Sequence, residues 1–265
     1  MPSLVITSCA TTRHHQKFDN ISVPADRKTI FGSFVKITTT VIADVCDKKT
    51  KECVKAPIFS ASSSGSLIET PSGIRGVLTV AHATSPIYFS SLIPMKDFRS
   101  GKAVINVNFE LSDGTDISPM AAICNNDWDI CFMFINQSID LPHLKLSKSA
   151  PVWADPAWSA GDPMNTARLG SVLPLLSGHY SGAGVYTQQP IPGVFIKIPV
   201  NVYTIPAAPG SSGSAVVNAD GEIIGLLQAV HSKFPHVSMS LAYEALIQFV
   251  QNLRTIEEYK QASQK

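Results

Sequence analysis

Gly210-Ser211-Ser212-Gly213-Ser214-Ala215-Val216-Val217-Asn218-Ala219-Asp220-Gly221-Glu222-Ile223-Ile224-Gly225-Leu226 decides how this chain is read. A serine stands between glycines that permit a sharp turn. The chain then enters a short apolar strand, a tight polar turn and a second apolar strand. Such a turn exposes a hydroxyl with backbone N–H groups beside it, which is what a nucleophile requires. Taken by itself a Gly/Ser cluster reads first as a plain loop, so its weight comes from the residues upstream.

There, Leu78-Thr79-Val80-Ala81-His82-Ala83 is an apolar strand that delivers a histidine at its end, just before Thr84-Ser85-Pro86. Further on, Asn125-Asn126-Asp127-Trp128-Asp129 leads into Ile130-Cys131-Phe132-Met133-Phe134-Ile135, a run apolar enough to be buried. A serine nucleophile needs a base, and the base needs a carboxylate that fixes its tautomer and stabilises its cation. Each residue also has a plainer role: a strand-end histidine can be satisfied by a carbonyl in the core, and Asp beside Asn often caps a turn. The order His82, Asp129, Ser212 is one of the linear orders of a triad, and the coincidence of all three favours the triad. Asp127 is the rival carboxylate; Asp129 is preferred because it abuts the apolar run. The other histidines, His14, His15, His143, His179, His231 and His236, follow no such strand.

Ser64-Gly65-Ser66-Leu67-Ile68, the His82 strand, Asp129-Ile130-Cys131-Phe132-Met133 and Gly210-Ser211-Ser212-Gly213-Ser214 together resemble the successive signatures of the chymotrypsin-like serine proteases. They occur in that family's order across residues 60 to 230. The resemblance implies an all-β fold of two antiparallel β-barrels with a C-terminal α-helix, and substrate in the cleft between the barrels. It assigns His82 as base, Asp129 as its partner and Ser212 as nucleophile of a serine endopeptidase. The backbone N–H groups of Gly210 and Ser212 become the oxyanion hole. The primary specificity pocket falls on Ile205, Pro206, Ala207 and Ala208 and on Leu227, Gln228, Ala229 and Val230. Those stretches carry no acidic residue, which argues against cleavage after Lys or Arg and for a small or apolar residue there, with His231 able to line the rim.

Composition agrees. The chain has 265 residues, 45% hydrophobic and 15% charged, enough for two small cores and too apolar for general disorder. A net charge of +1 gives no broad field for nucleic acid or an anionic membrane, and Lys48-Lys49-Thr50-Lys51 reads as a solvated hairpin tip. No run approaches the roughly 20 apolar residues of a membrane helix. The N-terminus lacks the apolar core of a secretory signal, so an intracellular protein is expected. The five cysteines, Cys9, Cys46, Cys53, Cys124 and Cys131, are irregularly spaced. Cys46 and Cys53 flank a polar hairpin, and reduced thiols are expected. No Cys/His grouping has zinc spacing, and neither metal nor cofactor is expected.

Strands are expected at 32–45, 54–62, 65–69, 76–81, 103–111, 130–135, 193–202, 214–218, 222–229 and 237–241, and a helix over 243–260 from its apolar period. The organisation that follows is an N-terminal arm (1–27), a first barrel (28–140), a connection and second barrel (141–240) and a terminal helix (241–265), acting as one protease domain on a polypeptide substrate.

Two departures from the resembled family matter. Ser211 stands where zymogen-activated members carry an aspartate, so activation by N-terminal cleavage is not expected. Ala83 stands where secreted members carry a bridging cysteine. The Ser212-Gly213-Ser214 form, the missing bridge and the expected lack of a signal resemble the disulfide-poor branch, viral polyprotein proteases or bacterial heat-stress proteases, with the viral enzymes favoured. A catalytically silent double barrel serving as a binding, capsid or scaffold module stays open. An α/β-hydrolase esterase has the wrong residue order.

Overall fold

The computed structural model describes residues 23–46, 50, 52–89, 104–164, 173–231 and 233–262. Residues 1–22 of the expected arm, with Cys9, His14 and His15, lie outside the described residues, as do Lys48, Lys49 and Lys51 of the basic run. The end of the arm enters a short helix, α1 (Arg27–Gly32), capped by Asp26, whose carboxylate accepts from the Thr29 N–H at 3.0 Å. Ile30 is buried, and the Ala25 N–H donates to Ala219 O at 2.8 Å, tying the segment to the far half of the chain.

Seven strands follow: β1 (Phe34–Cys46), β2 (Cys53–Glu69), β3 (Arg75–Thr79), β4 (Val104–Leu111), β5 (Asp116–Ile117), β6 (Ala121–Asn125) and β7 (Ile130–Phe134), with a short helix α2 (Pro86–Phe89) after β3. They form one antiparallel sheet in the order β5-β4-β1-β2-β3-β7-β6. The second half contains β8 (Pro156–Ala160), β9 (Leu175–Ile191), β10 (Val194–Tyr203), β11 (Ala215–Val217), β12 (Ile223–His231) and β13 (Phe234–Leu241). These close into a barrel, β10-β13-β12-β11-β8-β9. Two helices, α3 (Tyr243–Gln251) and α4 (Ile256–Ala262), end the described chain. The fold is a chymotrypsin-like double barrel with a C-terminal helix. Among the described residues, no helix is long and apolar enough to cross a membrane.

Strand β7 shows how the two halves are joined. All five of its residues are buried, and because side chains alternate along a strand they serve two different cores. Cys131 and Met133 join Val35, Ile37, Leu67, Val77 and Phe109 inside the first sheet. Ile130, Phe132 and Phe134 face a second cluster that reaches Trp158, Val217, Leu246 and Phe249 of the other half. The second barrel keeps a core of its own around Tyr203, Ile205, Val216 and Ile224.

Four details differ from the sequence expectation. The two strands at 54–62 and 65–69 are one: Ser62-Ser63-Ser64-Gly65 resembles a turn, yet it pairs in register with β1, and Ser64 is fully buried. Strand β8 lies inside the expected connection, its Pro, Ser and Ala residues masking a buried strand. The long β9 was not expected because its Ser and Gly content reads as punctuation. Gly178 is needed there, since a Cβ would come within 2.5 Å of the Thr204 backbone. The terminal helix is two helices, because Thr255 starts a new one: its N–H and hydroxyl reach the Glu258 carboxylate at 2.7 and 3.0 Å.

The expectation of reduced thiols is corrected. Cys124 and Cys131 face each other across the β6–β7 ladder with Cα atoms 4.1 Å apart and are joined by a disulfide. Cys53 is also disulfide-bonded. Linear spacing does not reveal strand register, and register is what sets these residues opposite one another.

Candidate active site

His82 owes its position to the end of β3. Val80 is still extended, and Ala81–Ala83 then make a single 3-10 turn. Both alanines are buried, so the turn is pinned to the core while His82 between them keeps 27% of its side chain exposed.

Asp129 closes the β6–β7 hairpin. The Asn125 side chain accepts from the Trp128 N–H at 3.0 Å, and Asp129 takes a left-handed conformation, φ 53°, which Asp tolerates better than most residues. Its carboxylate meets His82 twice: Oδ1 accepts from the His82 backbone N–H at 2.7 Å, and Oδ2 lies 2.7 Å from Nδ1. Asp129 is 1% exposed, whereas the rival Asp127 is exposed. An ionised carboxylate only accepts, so the Nδ1 contact holds the proton there and leaves the Nε2 lone pair free.

Tyr88 stands edge-on to the imidazole at 6.1 Å and donates to Asn126 O at 3.1 Å. Burial, and after it the charges of Asp129 and Asp127, push its phenol well above the usual range. Burial, and after it the Asp129 charge, raise the Tyr186 phenol of β9 above the usual range.

The serine turn is built where the halves meet. Gly210 and Gly213 have φ of 100° and 89°, and a Cβ on Gly213 would strike Ser64 O and Thr79 Oγ1. Ser64 secures both ends: its N–H donates to Ser212 O at 2.8 Å and its hydroxyl to Gly210 O at 2.8 Å. The same hydroxyl accepts from the Asp162 N–H at 3.1 Å. Behind the turn, the Ser214 hydroxyl donates to Ser211 O at 2.6 Å. No acceptor among the described residues takes the N–H of Gly210 or Ser212. The Ser212 hydroxyl points to Gln228 O at 3.4 Å rather than to His82. The fold therefore pairs His82 with Asp129 directly, and among the described residues no hydrogen bond joins the Ser212 hydroxyl to His82.

The trypsin-like peptidase domain family matches residues 63–226, which spans the histidine strand, the aspartate hairpin and the serine turn. The chain belongs to that family. It is a serine peptidase. No curated protein matches the peptidase. Among solved structures it is similar to the Rv3671c protease of M. tuberculosis. For the active form the TM-score is 0.58 at 12% identity, covering 85% of this chain and 83% of that one. For the inactive form the values are 0.56, 12%, 85% and 91%. At that identity the likeness is one of fold.

The residues expected to form the peptidase's specificity pocket differ in exposure. Ile205, Ala207 and Leu227 are buried in the second barrel's own core. Pro206, Ala208, Ala229 and Val230 are half-buried. Gln228 is 4% exposed and turns its amide to the Asp129 hairpin. His231 is exposed at the end of β12 with Phe234 against its ring. A cavity of about 730 Å³ opens beside Phe31, Phe34, Lys36 and Leu111, and none of the triad candidates lines it. No group of three His, Cys, Asp or Glu among the described residues is arranged to hold a metal. Sequence reasoning missed Ser64 and Tyr88 as parts of the site. Ser64 had a signal, its place in the Ser-Gly signature; Tyr88 had none.

Proposed function

We propose that the peptidase is an endopeptidase working through His82, Asp129 and Ser212. The observation that carries this is the doubly bonded His82–Asp129 pair, with the carboxylate buried and Nε2 left as the basic nitrogen. Ser212 leaves its long bond to Gln228 O, gives its proton to His82 Nε2 and attacks the scissile carbonyl carbon. Catalytic hydrogen bonds are often loose without substrate. The N–H groups of Gly210 and Ser212, unclaimed by any acceptor among the described residues, receive the oxyanion. His82 returns the proton to the leaving amine, which departs as the tetrahedral intermediate collapses to an ester on Ser212. Water, deprotonated by the same imidazole, then hydrolyses that ester.

The substrate on this proposal is a polypeptide with a small or apolar residue before the cut, met by the half-buried Pro206, Ala208, Ala229 and Val230. Viral polyprotein processing is the finer form of this proposal, drawn from the Ser212-Gly213-Ser214 form and from Ala83 in the place of a bridging cysteine.

A fluorophosphonate probe tests the proposal. Wild-type protein is expected to label and to cleave members of a peptide library, and Ser212→Ala to do neither. Folded wild-type protein that takes no label, or a Ser212→Ala variant that still cleaves, would overturn it and favour the silent module.

A further inference from the structure

Gln228 stands on β12, in the second barrel, sixteen positions after the serine, and its two ends touch both halves of the site. Its backbone carbonyl accepts from the Ser212 hydroxyl at 3.4 Å. Its side-chain nitrogen crosses the seam and donates to Trp128 O at 2.6 Å and to Asp129 O at 3.1 Å. These are the last two carbonyls of the hairpin turn that carries the carboxylate. Asp129 sits there in the left-handed region, a conformation that persists only where surroundings enforce it.

The amide is an expensive way to fill this space. Gln228 is 4% exposed, and its Oε1 is buried without a hydrogen-bond partner among the described residues. A half-satisfied buried polar group is worse for stability than an apolar side chain of the same shape. Packing would be served by Met; an amide is explained by what its N–H groups hold.

From this we infer that Gln228 is a positioning residue, a cross-barrel clamp that fixes the Asp129 backbone and so aims the carboxylate at His82. The inference rests on the triad proposed above. Without the clamp the hairpin relaxes, the Oδ2 contact to Nδ1 loosens and the imidazole loses its orientation. Substrate binding, made elsewhere in the cleft, is unaffected.

Two variants test it. Gln228→Met keeps the volume and removes both bonds: kcat is expected to fall about ten- to a hundredfold, the usual effect of slightly misplaced catalytic groups, with KM unchanged and no loss of thermal stability. Gln228→Glu adds a signature that packing does not produce. A protonated carboxyl can donate to one of the two carbonyls. An ionised one repels both, with the Asp129 carboxylate nearby, Asp127 on the same hairpin and His82 beyond. Burial raises a carboxyl's pKa, so kcat/KM of this variant is expected to fall as pH rises through ionisation of the new carboxyl, a limb absent from the wild type. A wild-type pH profile in Gln228→Glu, or wild-type kcat in Gln228→Met, would sink the clamp.

Ser212→Ala and Asp129→Asn, assayed alongside, separate the two ideas. If either keeps full activity, the triad itself is wrong. If both lose activity while the Gln228 variants match the wild type, the triad stands and the clamp falls.

Discussion

In the proposed triad Asp129 is the residue on which the chemistry turns, because both of its oxygens are committed to His82. An amide in its place must present an NH₂ to one of two donors, which forces the ring toward the wrong tautomer. Asp129→Asn is expected to lower kcat about ten-thousandfold while the protein stays folded, measured by steady-state kinetics on a peptide with circular dichroism as the control. Retention of more than a tenth of wild-type kcat would remove Asp129 from the mechanism. The choice of Asp129 over Asp127 was legible from the apolar run that follows it; the exposure of Asp127 supplies the physical reason. The clamp from Gln228 was not legible. In sequence that residue is one polar position in a buried strand, and its partners lie about a hundred residues away.

At the scale of elements, the β6–β7 hairpin is held from three sides: by its ladder, by Gln228 and by the Cys124–Cys131 disulfide just behind its turn. A bridge between residues separated by seven positions is worth about 2–3 kcal/mol in the chain-entropy account. Replacing both cysteines by alanine is expected to lower unfolding free energy by at least that amount in a urea titration. A variant as stable as the wild type would show that the ladder suffices. Strands with strong apolar runs, β3, β7 and β12, could be read from sequence because burial on both faces leaves an unmistakable pattern. Strand β9 and the middle of β2 could not. Gly178 of β9 lets the Thr204 backbone approach and Ser64 of β2 bonds the serine turn, and small residues placed for such purposes look like loop.

Across the whole molecule, the halves are joined by a shared core and, among the described residues, by a buried ion pair. Lys36 Nζ of β1 lies 3.0 Å from Asp162 Oδ2, with the side chains 5% and 0% exposed. The Asp162 backbone in turn abuts the serine turn: its N–H reaches Ser64 Oγ, and its carbonyl is in contact with Gly210. Removing one partner strands the other's charge. Lys36→Met is therefore expected to cost about 3–5 kcal/mol of stability, read from denaturant midpoints. The double change Lys36→Met with Asp162→Asn should recover part of the loss. Additive losses in the double variant would mean that the two side chains do not act as a pair.

Sequence by itself determined the fold class, the order of the three candidate catalytic residues and the preference for Asp129. Each is written in local patterns: apolar runs of strand length, glycines where the chain must turn left-handed, and a polar residue at a strand's end. Tertiary structure decided the pairing of cysteines, the continuity of β2, the fate of the expected pocket residues and the crossing of Gln228 to the aspartate hairpin. Those depend on strand register and on contacts between distant halves, and a polypeptide encodes such contacts only through the way its buried faces fit together.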